Sequence, residues 1–320
     1  MINLHCTIIN TQYQPWSMIS WIAGSIIKEL MKLQSSLMRK YNRYMGIRLS
    51  SAPYVSGDSF RALADHIFDD LAHVEPDKVH CGDVIFVKTD YLIDFMSGCL
   101  ADIQYPFILI SHNSDNKVDE CFVELVNHPK VYHWFACNNV LTHKKITSIP
   151  IGLENRWRHN NGIIQDFDRI ASSLPLKKNR ILFGFNLHTN EAERRPALAA
   201  LERCTVADKV TLHSGEYRKA LSEYFFVASP PGNGIDCHRT WEALYFKTIP
   251  IVRHSRFFDG FPDLPVHFIN EWSDLEKIQV SKLDEIYRKL SPSVDTTPYI
   301  WMNYWAGLLD RKKQECIRNR

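Results

Sequence analysis

Apolar runs that stop abruptly at polar clusters set the rhythm of this chain. "GDVIFVKTD" halts at Lys88-Thr89-Asp90, "YPFILISHN" at Ser111-His112-Asn113, "HWFACNN" at Asn138-Asn139 and "ITSIPIGLENR" at Gly152 to Arg156. Near-continuous apolar runs of this length predict strands buried on both faces, and their alternation with helical patterns predicts parallel sheets. Upstream, "APYVSGDSFRALADHIFDDL" turns at Gly57-Asp58-Ser59 and then spaces Phe60, Leu63, Ile67 and Leu71 as one face of a helix. A polar, weakly patterned stretch from about Arg158 to Asn179 predicts a linker. A second alternating series follows: strand "RILFGF", helix "EAERRPALAALERC", strand "DKVTLHSG", helix "EYRKALSEY", strand "EYFFVAS", a helix through Trp241, Leu244 and Tyr245, then strands "TIPIV" and "PVHFIN". After "SPSVDTTP" one last helix is expected. The predicted fold class is therefore α/β, with two Rossmann-like, doubly wound domains at 1–157 and 180–294, a linker at 158–179 and a helix at 295–320 packing back.

Composition narrows the function classes. With 320 residues, 45% hydrophobic and 12% aromatic, the chain has ample material for two cores. Its formal charge of +2 carries no polyanion-binding signal, so no nucleic acid partner is expected. Eight cysteines without a C-x-x-C pair suit a reducing compartment better than a disulfide framework. No secretory signal is expected, because the first ten residues lack a basic segment and no cleavage site follows. Residues 15–43 carry a helical apolar stripe (Ile19, Ile22, Ile26, Leu30, Leu33, Leu37) with Trp16 and Trp21 and a basic flank of Arg39, Lys40 and Arg43. Its apolar part is too short for a membrane span. An ordinary packed helix is the first reading and a peripheral membrane helix the second. The expected location is cytoplasmic, with peripheral contact to the inner face of a membrane under that second reading.

Chemistry concentrates in "SPPGNGIDCHRTWEALYFKTIPIV". A dinucleotide fingerprint fails because Cys237 stands where a third glycine is needed, and no Walker lysine follows the glycines. The stretch suits a diphosphate and ribose instead. Gly232 and Gly234 admit a bulky anion near the backbone, the following helix start offers unpaired N–H groups, and Arg239 adds charge-assisted hydrogen bonds. Glu242, three residues on from Arg239, is placed to accept from ribose hydroxyls or, alternatively, to pair with Arg239. Arg194, Arg195 and Lys219 are further candidates for the diphosphate charge. The Asp166-Phe167-Asp168 triplet lies in the linker and is read as structural, and no histidine spacing indicates zinc, so no metal or other cofactor is expected. A base for an inverting transfer would come from Asp58, Asp90, His112, Asp115 or Glu154, with Asp58 ranked first and a plain N-cap as its other reading. Arg61 is a binding residue or a partner of Asp58. His112, Asn113 and Glu154 are acceptor-binding candidates, and His238 is expected to pack or touch phosphate rather than to catalyse.

That same block resembles the C-terminal motif of exostosin-like (GT47-type) glycosyltransferases: a strand, Ser-Pro, a glycine pair, an acidic residue, Arg, then a helix with Glu-Ala and Ile-Pro-Ile. "RILFGFNLHTNEAERRPAL" is similar to that family's opening C-domain strand, and the resemblance spans about Arg180 to Asp274. It implies a GT-B fold whose C-terminal domain holds a nucleotide sugar, UDP-linked by expectation, and whose interdomain cleft receives a glycan or lipid-linked acceptor. It further implies a donor site at Ser229, Gly232, Asn233, Gly234, Asp236, Arg239 and Glu242, to which Arg195 is added from the residues. The chain is shorter than animal exostosins, so donor and linkage are not implied. A nucleotide-sugar epimerase of the same fold and a catalytically silent glycan-binding scaffold are the competing expectations.

Overall fold

The structure is a computed structural model, and it describes residues 33–319 apart from 35, 39, 42, 43, 159 and 160. Most of the amphipathic stretch at 15–43 therefore lies outside the described residues. Among those described, no helix is long and apolar enough to cross a membrane. The chain divides into two compact units, Met1–Ile47 and Arg48–Arg320; the second holds everything that follows.

It opens with a short helix α1 (Gly57–Arg61), followed by β1 (His66–Phe68), β2 (Val84–Lys88), α2 (Leu92–Gly98), β3 (Phe107–His112), α3 (Val123–Asn127), β4 (Val131–Ala136) and β5 (Ile146–Ser148). These five strands form a parallel sheet in simple sequential order, β1-β2-β3-β4-β5. Crossovers that all advance in one direction with one hand place their helices on one face of the sheet. Accordingly Ile85, Val87, Phe107 and Leu109 pack against Leu92, Phe95 and Leu125. The opposite face, Val84, Phe86, Ile108 and Ile110, takes Phe60 of the short α1 and otherwise needs a distant cover. That cover is α9 (Met302–Arg318), whose Trp305, Leu309 and Cys316 share its cluster.

The run predicted as a long helix after Gly57 is α1 plus β1. Phe60 is buried in the core, but Ile67 belongs to the edge strand and Leu71 is exposed. Three apolar residues at helical spacing coincided there with a strand that needs only one neighbour. The stretch expected as a linker carries α4 (Ile164–Ala171), whose Phe167 is fully buried and stacks on Phe246 at 5.2 Å. Its polarity comes from an outward face only.

The second sheet is built from β6 (Lys178–Phe183), α5 (Glu191–Arg203), β7 (Ala207–Lys209), α6 (Ser214–Ser222), β8 (Tyr224–Ala228), α7 (His238–Tyr245), β9 (Ile249–Arg253) and β10 (His267–Ile269). All its neighbours are parallel, in the order β10-β9-β8-β6-β7. A helix absent from the sequence reading, α8 (Val280–Val294), buries Leu283 and Ile286 against this sheet before α9 begins. "SPSV", placed by the sequence only as preceding the last helix, forms the end of α8, with Pro292 inside the helix. The chain is thus α/β with two five-stranded parallel sheets. One cluster joins them, holding Phe86 and Ile110 together with Phe167, Trp241 and Leu244.

Candidate functional site

After β6 the chain first adds β7 on one side and then crosses back to lay β8 on the other, so the strand order reverses between β6 and β8. In open α/β sheets that reversal leaves a crevice at the carboxyl ends of the strands. A cavity of about 630 Å³ opens there. Its floor is Gly184 and Phe185 after β6, Thr211 after β7 and Gly232 to Gly234 after β8, and Asp115 and Ile151 reach it from the first half.

Three arginines line this cavity: Arg194 of α5, Arg218 of α6 and Arg239 of α7. Arg194 is buried, donating from Nε to Pro231 O at 2.9 Å and from Nη1 to Asn186 O at 2.7 Å. Burial and the nearby Arg239 push its guanidinium below its ordinary range. Arg239 donates to Tyr217 Oη at 2.8 Å and to Gly184 O at 3.2 Å, while its Nη1 is buried with no hydrogen-bond partner among the described residues. Neither Arg194 nor Arg239 forms an ion pair with a described carboxylate. Arg218 does, with Asp166 at 2.5 Å. α7 starts at Cys237 with no side-chain cap, so its first amides add to the positive end of the site. Glu242, one turn along, lines the same cavity and makes no ion pair with Arg239; burial holds its carboxyl above the ordinary range against the pull of His238, Arg218 and Arg239.

Of the expected donor residues, Gly232, Asn233, Gly234, Asp236, Arg239 and Glu242 line this cavity, and two do not. Ser229 is buried behind the loop with its hydroxyl 2.9 Å from Thr240 Oγ1. Arg195 points away and pairs with Glu191 at 2.7 Å on an exposed face; Arg194, one position earlier on the helix, is the inward one. Lys219 is exposed. The glycines also serve a purpose different from the one expected. A Cβ on Gly232 would lie 3.2 Å from Arg194 Nη2, and one on Gly234 would lie 3.0 Å from the Asn138 amide, so they make room for protein side chains. Asp236 is consumed structurally. Its carboxylate accepts from Ile151 N at 2.7 Å, Trp241 Nε1 at 2.8 Å and Cys237 N at 2.8 Å, fastening the loop to the first half, although burial pushes its carboxyl up to about 7. Asp166 and Asp168 diverge, the first to Arg218 and the second accepting from Tyr54 Oη at 2.6 Å. Among the described residues no three His, Cys, Asp or Glu side chains gather as a metal site.

A second cavity of about 300 Å³ adjoins the first and shares Asp115, Ile151 and His238 with it. His112, Asn113 and Glu154 line it. Arg61 does not; it is held by Asp69, Nε to Oδ2 at 2.7 Å. Trp157 adds an aromatic wall that no sequence signal singled out, with Arg48 4.2 Å and Arg158 4.7 Å from its ring centre. Arg48 is paired with Asp70 at 2.7 Å and Lys88 with Asp90 at 3.2 Å, so this cavity is polar but charge-matched.

Asp58, ranked first as base, lies beneath that cavity rather than in its wall. It is 1% exposed and belongs to a closed ring: Asn113 Nδ2 donates to Asp58 Oδ1 at 3.0 Å, Asn155 Nδ2 donates to Asn113 Oδ1 at 2.8 Å, and Asp58 N donates to Asn155 Oδ1 at 2.8 Å. Nor is it the N-cap, since Ser56 accepts from Ser59 N in that role. Burial pushes the Asp58 carboxyl up to about 6, and its Oδ2 is buried without a partner. His112 is also closed. Asn113 N donates to its Nδ1 at 2.6 Å, so Nε2 carries the proton and faces Pro150 O at 3.1 Å; burial pushes its pKa down to about 4.

Compared with known proteins, the chain matches no family model and no curated sequence.

Proposed function

We propose that the protein is a glycosyltransferase that moves a sugar from a nucleotide-diphosphate donor to a hydroxyl of a glycan or lipid-linked acceptor. In this reading the two sheets are the two domains of a GT-B enzyme, the arrangement implied by the resemblance to exostosin-like enzymes. The observation that carries it is the convergence of Arg194, Arg218 and Arg239 on one cavity at the strand-order reversal, with a buried Nη1 of Arg239 that has no hydrogen-bond partner among the described residues. A buried donor without a partner costs about 1–3 kcal/mol, which an anionic ligand would offset. Arginine geometry suits phosphate oxygens, and an uncapped helix start favours the same charge. Arg194 and Arg239, which carry no carboxylate partner among the described residues, then supply the countercharge for the departing diphosphate. The adjoining cavity, with its aromatic wall and matched charges, suits a sugar acceptor. Two adjoining cavities favour transfer between two substrates over epimerisation of one.

The test is a thermal-shift and calorimetric panel of nucleoside diphosphates and their hexose conjugates against the wild-type protein and Arg239→Ala. Stabilisation of the wild type, lost in the variant, is expected. A panel in which no diphosphate binds the wild type would remove the reading.

A further inference from the structure

Among the described residues, two polar side chains border both cavities, Asp115 and His238. Asp115 is exposed and accepts from Asn233 Nδ2 at 3.2 Å. His238 is half-buried at the first position of α7, next to Arg239, and one ring nitrogen is held by a hydrogen bond. Its Nδ1 lies 2.7 Å from Gly152 O. A carbonyl only accepts, so Nδ1 carries a proton and Nε2 is the nitrogen that exchanges one. Nε2 lies 3.7 Å from Glu154 Oε2. The carbonyl that holds the ring is itself rigid. Gly152 has φ +65°, a Cβ there would lie 2.3 Å from Val55 O, and the next residue's N–H donates to Val55 O at 2.7 Å.

This is an imidazole oriented by a backbone carbonyl on one nitrogen, while the other, too far from Glu154 for a hydrogen bond, keeps its lone pair for a proton and has a carboxylate close by once charged. Asp58 is buried beneath the smaller cavity and does not line it, and both ring nitrogens of His112 are occupied by hydrogen bonds.

Resting on the transfer reading above, we propose that His238 is the general base of an inverting transfer, its ring positioned by Gly152 O and its charged form stabilised by the nearby Glu154 carboxylate. In the step, His238 Nε2 takes the proton of the acceptor hydroxyl. The acceptor oxygen forms a bond to the anomeric carbon from the face opposite the leaving group. The bond from that carbon to the diphosphate oxygen breaks, its electron pair leaving with the diphosphate toward Arg239 and Arg194. The imidazolium then returns its proton to solvent.

The experiment uses uridine diphosphate hexoses as donors, with methyl glycosides and water as acceptors. His238→Gln and His238→Ala are expected to lower kcat by about 10²–10⁴-fold while donor Kd, measured by calorimetry, stays close to wild type. Added imidazole should restore part of the turnover of His238→Ala and none to Arg239→Ala. Glu154→Gln should lower kcat and leave the donor KM unchanged. The product should carry the inverted anomeric configuration by NMR. Near wild-type kcat in both His238 variants, or a retained configuration, overturns the assignment while leaving the transfer reading intact. A wild-type protein that turns over no donor overturns both.

Discussion

At the scale of single residues, the site separates inward from outward charges that look equivalent in the sequence. Arg194 and Arg195 are adjacent, yet only the first enters the cavity. Arg239→Ala should therefore weaken nucleoside diphosphate binding by about 2–4 kcal/mol, and Arg195→Ala should leave it unchanged, both read by calorimetry. Asp58 offers a prediction about pH. Its folded pKa of about 6 lies above that of an unfolded aspartate. The folded state thus holds the proton longer, and the contribution of this group to stability falls as pH rises from about 4 through about 6. Asp58→Asn keeps the shape without the charge. The urea midpoint of the variant should gain on the wild type between pH 4.5 and pH 7; a constant gap would place the ionised carboxylate in a better-solvated site than the structure shows. Arg239 and the glycine pair were legible because they lie close together in sequence. Their true neighbours, Tyr217, Gly184 and Asn138, were not, because they reach the loop from other strand ends.

Elements whose burial is uniform were the legible ones. β2, β3, β4 and β8 are almost wholly buried, and such strands announce themselves as unbroken apolar runs. β1 is an edge strand of three half-buried residues, and a helical spacing of Phe60, Leu63 and Ile67 concealed it. α8 was concealed by Pro292, which sits in its final turn. The helix start at α1 shows why an acidic residue next to Ser need not be the cap: Ser56 does that work, and Asp58 is free to join the ring with Asn113 and Asn155. Ser56→Ala should cost about 1 kcal/mol in chemical denaturation. Gly57→Ala should do more local damage. The new Cβ would lie 1.7 Å from Asn113 Oδ1 and 2.5 Å from His112 Nδ1, forcing both side chains out of the smaller cavity's wall. The variant should keep diphosphate binding and lose transfer to acceptors, measured side by side.

For the molecule as a whole, the sequence conveyed two parallel sheets and a helix returning at the end, but not which sheet that helix serves. It serves the first. Trp305 is buried against Phe60 and Phe261, and Lys313 pairs with Asp65 at 2.8 Å. Trp305→Ala should cost about 3–5 kcal/mol by urea denaturation, and the loss should be felt at both sheets because their shared cluster passes through this ring. Because the reading assigns the leaving diphosphate to arginines, transfer should also survive chelation of divalent ions by EDTA, checked by turnover before and after dialysis.

The sequential order of the first sheet has one more effect, on how the protein is made. Its strands emerge from the ribosome before the second sheet, with one apolar face shielded locally only by Phe60 of the short α1. α9, which shields it, is translated only after the whole second sheet. Until then the nascent chain carries Phe86, Ile108 and Ile110 only partly covered, so a truncation before Met302 should be prone to aggregate.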